Sequence, residues 1–488
     1  MEILDRDLYA IQETRDLIAK AKKAQEIFKT FTQEQVDKVV KAMAEAAEKE
    51  AVRLAKLANE ETGFGRWEDK VIKNQFASRH VYENIKDLKT VGIIGEDKEN
   101  KILEVAVPVG VVAALIPSTN PTSTVIYKAM ISVKAGNAVI LAPHPNAKNC
   151  IIETAKVITE AAVKAGAPEG LIGCITVPSL EGTDQLMKHK DMSLILATGG
   201  EAMVKAAYSS GTPAIGVGPG NGPAFIHRSA NVKLAVKRIL DSKTFDNGVI
   251  CASEQSVVVE APMKEIVKEE LIRQGAYFLN KEESDKLGRF ILRPNGTMNP
   301  QIVGKSVEVL AGLSGLDIPK GVRVLISEQN TVGKNNPYSR EKLTPILAFY
   351  CEESYDKVVE RCIEILMNEG KGHTLVLHAE DDEVIRDFAV KIPVSRLLVN
   401  TPGALGGIGG STNLVPALTL GCGAIGGSAT SDNVGPMNLL NIRRIAMGTR
   451  ELEDIKGTSN KVVSNEIPEE YIDLIVNKII EKLALQSK

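Results

Sequence analysis

The sequence has no closely spaced set of cysteines or histidines of the kind that holds a metal. Its six cysteines, at positions 150, 174, 251, 351, 362 and 422, show no CxxC spacing, and its six histidines form neither HxxxH nor HExxH. No structural zinc site is therefore expected, and thiols dispersed through a chain this long do not make a disulfide framework. Long apolar runs are also missing. The longest, Val105 to Ile116, is interrupted by Pro108 and is too short to cross a bilayer. The first residues, Met-Glu-Ile-Leu-Asp-Arg-Asp, lack the basic and apolar regions of a signal peptide. A formal net charge of -3 leaves no electrostatic footprint for nucleic acid or an anionic membrane. No internal repeat or low-complexity tract stands out. The expectation is a cytoplasmic globular protein with no metal, nucleic-acid or membrane partner.

What is present is length and alternation. At 488 residues the chain exceeds a single core, and length alone suggests about three domains. Apolar residues recur at helical spacing through residues 7–62, and Thr32-Gln-Glu-Gln35 reads as a helix start. Residues 91–107 turn β-rich around a charged turn, Glu96 to Asn100. Strands and helices then alternate. Strands are expected at 109–116, 138–142, 173–177 and 194–197, with helices at 123–135, 149–165 and 201–209. That is the pattern of βαβ units on a parallel sheet. A second α/β region carries helices near 262–274 and 354–368 and strands at 321–326, 346–350 and 374–378. Residues 403–435 read as Gly-rich loops, and 466–486 as a final amphipathic helix.

Three loops and one thiol are candidates for chemistry. Ser118-Thr-Asn-Pro-Thr-Ser-Thr124 follows an apolar strand and opens a helix, where ligands bind in parallel α/β sheets. Asn120 offers an amide donor for an oxyanion there, although the same residues also suit an ordinary helix cap. Ala197-Thr-Gly-Gly-Glu201 repeats the arrangement with glycines that let backbone N–H groups approach a phosphate. Residues 214–223 form a third Gly- and Pro-rich loop. Cys251 follows the turn-prone Asp246-Asn247-Gly248 and precedes the strand-like Ser256-Val-Val-Val259. A lone cysteine is commonly a small buried hydrophobe, and it attacks carbon only as thiolate.

Longer blocks decide between these readings. In order stand FTQEQVDKV, EDKVIKN, STNPTST, PHP, LILATGG, KAAYSSGTPAIGVG, KTFDNGVICASEQSVVV, EKLTP, GHT, LTLGCGAIGG and SDNVGP. Together they resemble the aldehyde dehydrogenase superfamily and specifically its CoA-acylating branch. The aldehyde dehydrogenase half of bifunctional aldehyde–alcohol dehydrogenases is the nearest likeness, over nearly the whole chain. The resemblance implies Cys251 as nucleophile and Asn120 as side-chain oxyanion donor beside the Cys251 N–H. It implies a dinucleotide lined by Leu115, Ile116, Pro117, Ser118, Thr119, Pro143, Thr198, Gly199, Gly200 and Gly218, with Glu341 holding the nicotinamide ribose. Two departures matter. Hydrolytic relatives carry a water-activating glutamate before Gly-Lys-Ser-Pro, where this chain has Val217 and Gly218. A CoA thiol then replaces water as acceptor. The Lys and Glu that clamp the adenine ribose in many relatives are replaced by Ala142 and Pro145, around His144, which leaves NAD and NADP both open. His373 and Glu254 are candidate bases or structural groups, and Cys422 is the rival nucleophile.

The resemblance thus implies an α/β fold with a Rossmann-type dinucleotide-binding domain (1–90 and 108–220) and an α/β catalytic domain (221–434). Residues 91–107 and 435–488 would form a small β oligomerisation element and the C-terminal region. The expected activity is reversible conversion of a short-chain aldehyde, by default acetaldehyde, with CoA and NAD to acyl-CoA and NADH. A homodimer or dimer of dimers is expected. Because the chain ends at Lys488, the expectation is a stand-alone acylating enzyme without the iron-dependent alcohol dehydrogenase half. The alternatives are a hydrolytic aldehyde dehydrogenase giving a carboxylic acid, and a mainly structural assembly-forming protein.

Overall fold

The computed structural model describes residues 5–456 and 471–478. It holds fifteen strands among the described residues. They are β1 (Gly92–Asp97), β2 (Ile102–Pro108), β3 (Val111–Ile116), β4 (Ala138–Pro143), β5 (Ile172–Cys174), β6 (Leu194–Thr198), β7 (Ala214–Val217), β8 (Pro223–Ile226), β9 (Ser256–Glu260), β10 (Ala276–Phe278), β11 (Val324–Glu328), β12 (Ile346–Glu352), β13 (Gly372–His378), β14 (Val394–Val399) and β15 (Leu440–Ala446). They form a parallel five-stranded sheet ordered β5-β4-β3-β6-β7, a parallel seven-stranded sheet ordered β10-β11-β12-β9-β8-β13-β14, and a three-stranded sheet ordered β1-β2-β15.

The first sheet reverses its winding between β3 and β6, so a crevice opens at their carboxyl ends. β3 and β4 are apolar at every position because helices cover both faces of a parallel sheet. A buried lysine fixes the crevice. Lys128, from the helix Pro121–Lys134, donates to the carbonyls of Leu115 (2.9 Å) and Leu196 (2.8 Å), tying the ends of β3 and β6 together. The seven-stranded sheet has a core on each face. In β8 and β9, Phe225 and Val258 face one side while Ala224, Ile226, Val257 and Val259 face the other, as a two-residue period requires.

The chain divides into two compact units. Among the described residues, one comprises 5–94 with Val105–Arg443, and the other Gly95–Glu104 with those from Arg444 onward. In the smaller unit, Arg444 pairs with Glu104 and the Met447 N–H reaches the Lys101 carbonyl.

The helical reading of 7–62 resolves into Arg6–Phe28, Gln33–Lys49 and Ala51–Thr62, and Thr32 heads the second with a capping box completed by Gln35. This layer is not merely solvated: Ile18, Ala21, Val39 and Met43 belong to the main core. The strand expected at 321–326 starts later, at Val324, because Gly321 turns the chain with φ 84°. β7, β8, β10, β14 and β15 were not anticipated: β7 opens the 214–223 segment read as a loop, β7, β8 and β10 are only three or four residues long, β14 is alternately half-buried and β15 is largely exposed. Residues 403–435 are mostly irregular, with a short helix at Gly403–Gly407 and a single 3-10 turn at Ala424–Gly426. Of the C-terminal helix, 471–478 is helical and the rest lies outside the described residues.

Candidate active site

A cavity of about 570 Å³ opens at the carboxyl ends of β3, β4, β6 and β7. Its other wall comes from segments just before β8, β9 and β12 of the seven-stranded sheet. All thirteen residues expected from the sequence line it: Leu115 to Asn120, Pro143, Thr198, Gly199, Gly200, Gly218, Cys251 and Glu341. Among the described residues no group of three or more His, Cys, Asp or Glu side chains could hold a metal ion.

Cys251 reaches the cavity through a tight turn. Asp246, Asn247 and Gly248 all adopt positive φ, near 51°, 51° and 77°, which suits Asp, Asn and Gly. The turn is held by the buried Asp246 carboxylate, which accepts from the Arg66 N–H (2.7 Å), Lys70 (3.0 Å) and Lys73 (2.6 Å). Gly220 packs against Cys251 so closely that an added Cβ would sit 1.9 Å from the Cys251 carbonyl oxygen. Burial pushes the Cys251 thiol up to about 12, with Glu341 and Cys422 adding to the effect and Arg396 and the residue's own N–H opposing it. Without a ligand, the thiol is protonated at neutral pH.

Asn120 occupies the N-cap position of the helix Pro121–Lys134, yet its side chain makes no cap hydrogen bond. Its amide oxygen instead accepts from Lys73 at 2.7 Å. Asn120 therefore stands at the N-cap, as the cap reading had it, but does not cap the helix through its side chain.

Glu341 is half-buried at the cavity wall, and its carboxylate accepts the Gly220 N–H at 2.9 Å. Burial, followed by repulsion from Glu369, raises it to about 8. Thr198 has a buried hydroxyl without a protein partner, and Gly200 faces open space where a side chain would begin. The helix Glu201–Ser209 starts there with no side chain capping its first N–H groups. A dinucleotide fits this end: strand termini, a bare glycine turn and a free helix N-terminus meet in one crevice.

Three of the remaining candidates, Glu254, His373 and Cys422, stand outside the cavity lining. Glu254 is buried, accepts the Gly403 N–H at 2.8 Å and is raised to about 7 by burial. It does not line the cavity, and its second carboxylate oxygen is buried without a hydrogen-bond partner. His373 lies in β13 rather than in a loop, and only half of it is satisfied. Its Nδ1 pairs with the Thr374 hydroxyl at 2.9 Å, while Nε2 has no partner. Burial, then Arg396, lowers it to about 3, so the ring is neutral behind Gly220. Cys422 is buried with its thiol directed at the Leu420 carbonyl. His144 does line the cavity and acts as the turn residue its flanking prolines suggested: its Nδ1 accepts the Asn146 N–H at 3.1 Å.

Sequence reasoning missed Lys70, Lys73 and Asp246. The available signal was two lysines three apart beside Asn74 on one face of the helix Trp67–Gln75, a face with no reason to be dry.

The pattern of the Aldehyde dehydrogenase family matches residues 8–340. The chain is 46% identical over 441 residues to the bifunctional aldehyde-alcohol dehydrogenase of Escherichia coli K12, covering 89% of this chain and 49% of that protein. It is 39% identical to the succinate-semialdehyde dehydrogenase (acetylating) of Clostridium kluyveri, over 90% of this chain and 96% of the relative. It thus spans about half the length of the bifunctional relatives it matches and nearly all of the monofunctional one. A probable aldehyde dehydrogenase from Listeria monocytogenes superposes with TM-score 0.91 at 66% identity, over 92% of this chain and 100% of that chain. An acetylating aldehyde dehydrogenase from Geobacillus thermoglucosidasius does so with TM-score 0.91 at 53% identity, over 92% and 99%. A propionaldehyde dehydrogenase from Rhodopseudomonas palustris, solved with bound CoA and an acylated cysteine, has TM-score 0.80 at 26% identity, over 89% and 97%.

Proposed function

Because the chain belongs to the aldehyde dehydrogenase family, we infer that it converts an uncharged short-chain aldehyde, CoA and NAD reversibly to acyl-CoA and NADH. The observation that carries this reading is the convergence of Cys251, Asn120 and Glu341 on one cavity at the strand ends. Among the described residues Glu341 is the only carboxylate lining that cavity, and it is engaged by Gly220. No second carboxylate is placed to activate water. CoA as acceptor is supported by relatives named acetylating and by the acylated cysteine and CoA of the propionaldehyde dehydrogenase.

In this reading the Cys251 thiolate attacks the aldehyde carbon, and the Asn120 amide and the Cys251 N–H stabilise the resulting oxyanion. Arg396 favours the thiolate, and a positively charged ligand in the cavity acts in the same sense. Bound NAD supplies the hydride acceptor. Collapse of the oxyanion leaves a thioester on Cys251. The CoA thiol attacks that thioester and Cys251 leaves, so one thioester is exchanged for another.

Two features support the finer choices. Val249, Ile250, Leu343, Ile408, Leu418 and Leu420 make the lining near Cys251 apolar, and the one lysine there, Lys73, is spent on three protein acceptors. A carboxylate or sulfonate on the substrate would find no partner, which favours acetaldehyde or a close homologue. Towards His144, Pro178 and Thr183 the lining has no Lys or Arg, and partial desolvation lowers the His144 pKa from its ordinary value. A 2′-phosphate would go unpaired, which favours NAD over NADP.

For the division into a dinucleotide-binding domain (1–90, 108–220) and a catalytic domain (221–434), the support is that both cores of the seven-stranded sheet consist wholly of residues beyond 220, although the first core also takes in Ile250, Ala252, Ala404, Ile408, Ala417, Leu420 and Val434. A homodimer or dimer of dimers is supported by the exposed Ile445, Met447, Leu452 and Ile455 of the smaller unit, and light scattering tests it. A cytoplasmic location is supported by six unpaired cysteines. No helix among the described residues is long and apolar enough to cross a membrane.

The deciding experiment supplies aldehyde and NAD without CoA. About one NADH per site should form rapidly before the reaction stalls, since a general base for water is typically worth ~10²–10⁴-fold. Adding CoA should restore turnover, and mass spectrometry of the stalled enzyme should find the acyl group on the Cys251 peptide. Sustained turnover to free acid without CoA would favour the hydrolytic alternative and overturn the acylating one.

A further inference from the structure

The helix Trp67–Gln75 is tied to the segment that opens the cavity at three successive points. Lys70 donates to the Thr119 carbonyl at 3.4 Å, Lys73 to the Asn120 amide oxygen at 2.7 Å, and the Thr122 hydroxyl to the Asn74 side chain at 2.8 Å. The middle tie does more than hold backbone. Lys73 is only 2% exposed, and its ammonium has three donors. They serve three acceptors: Asn120 Oδ1, Asp246 Oδ2 at 2.6 Å and the Val249 carbonyl at 2.7 Å. Asp246 begins the left-handed turn before Cys251, and Val249 stands two residues ahead of the nucleophile. One side chain therefore bridges the amide on one cavity wall and the turn that presents the thiol on the other.

An ammonium can only donate. It fixes which end of the Asn120 amide it meets, so Oδ1 faces Lys73 and the NH₂ group faces away. No cap bond competes for the Asn120 side chain.

We propose that Lys73 is a positioning residue for the reaction: it turns the Asn120 amide so that its N–H is presented to the oxyanion, and it locks that amide to the turn carrying Cys251. This rests on the reading of Asn120 as oxyanion donor. Lys73 touches neither substrate nor cofactor in this role; it acts through Asn120 and the Asp246–Val249 turn. Two lysines share the Asp246 carboxylate, so removing Lys73 leaves Asp246 paired with Lys70, and the fold should persist.

The test is a double-mutant cycle on the full chain with Lys73→Met, Asn120→Ala and the pair, following kcat and the KM for NAD with aldehyde and CoA present. Asn120→Ala should lower kcat by ~10²–10³-fold, the usual loss for one oxyanion donor. Lys73→Met should lower kcat by ~10–10²-fold with the KM for NAD nearly unchanged, because only the orientation of that donor is lost. The pair should be no slower than Asn120→Ala alone within about threefold, since Lys73 then has nothing left to orient. If Lys73→Met does not fold, Lys73→Gln enters the same cycle. Wild-type kcat in the Lys73 variant, or a loss that multiplies in full on the Asn120→Ala background, overturns the proposal while leaving the oxyanion reading intact. Wild-type kcat in Asn120→Ala itself overturns the oxyanion reading and the proposal with it.

Discussion

Adding one methyl group at Gly220 should cripple this enzyme without touching a side chain of the site. A Cβ there would lie 1.9 Å from the Cys251 carbonyl oxygen, 2.9 Å from its carbon and 3.3 Å from the His373 ring. Real Cβ atoms essentially never come within 3.0 Å of a neighbour. Gly220→Ala must therefore push the Cys251 backbone and the Gly220 loop apart by about 1 Å, and a displacement of that size at a reacting group can cost ~10²-fold. The His373 ring, at 3.3 Å, is also tighter than an ordinary contact and would have to give by a few tenths of an ångström. The Gly220 N–H that holds Glu341 would shift as well. Overpacking of this kind destabilises by roughly 1–3 kcal/mol, which need not unfold the protein. The assay is steady-state kcat/KM with aldehyde, NAD and CoA, beside a thermal melt and a count of alkylatable Cys251 by mass spectrometry. The expected result is a folded protein with an intact Cys251 and kcat/KM lowered by ~10²-fold or more. A folded Gly220→Ala variant with kcat/KM within about threefold of wild type would refute the argument, because the thiol would then tolerate the displacement.

The remaining predictions concern titration and identity. Since burial holds the Cys251 thiol near 12, its alkylation by iodoacetamide without cofactor should keep rising with pH and show no plateau by pH 9; a plateau near neutrality would mean a preformed thiolate. Cys251→Ala should abolish NADH formation while leaving NAD binding near wild type, and residual turnover close to wild type would move the nucleophile elsewhere. Glu254 is raised from 4.5 to about 7 by burial. Its contribution to stability is therefore present below pH 4.5 and is lost as pH rises through about 7, on the order of 3 kcal/mol. Relative to Glu254→Gln, the wild type should lose stability between pH 5 and pH 8, and melts showing a constant difference would contradict this.

Much of the architecture follows from local pattern. Runs such as Val111–Ile116 and Ala138–Pro143 are apolar at every position, which only a strand covered on both faces requires, and β3 and β4 stand there. Thr32 with Gln35 marked a helix start because a capping box is made within four residues. The thirteen candidate residues sit in ordered blocks at strand ends, and all of them line one cavity. Strands as short as β8 and β10 carry too few residues for a two-residue period to register.

Tertiary structure alone decided which charges are dry and whom they serve. Lys70 and Lys73 lie in a helix whose composition reads as a solvated face. Their partner Asp246 is more than 170 positions away, and no local rule relates the two. Asn120 looked equally like a helix cap or an oxyanion donor. The structure leaves it at the N-cap position but gives its side-chain oxygen to the Lys73 ammonium and not to the helix. Glu254 and His373 followed the same logic, since a carboxylate accepting from Gly403 and an imidazole buried behind Gly220 owe their character to desolvation. Periodicity and turn chemistry are written in neighbours along the chain and can be read there. Burial and the orientation of a polar group depend on residues brought in from elsewhere, so they exist only once the chain has folded.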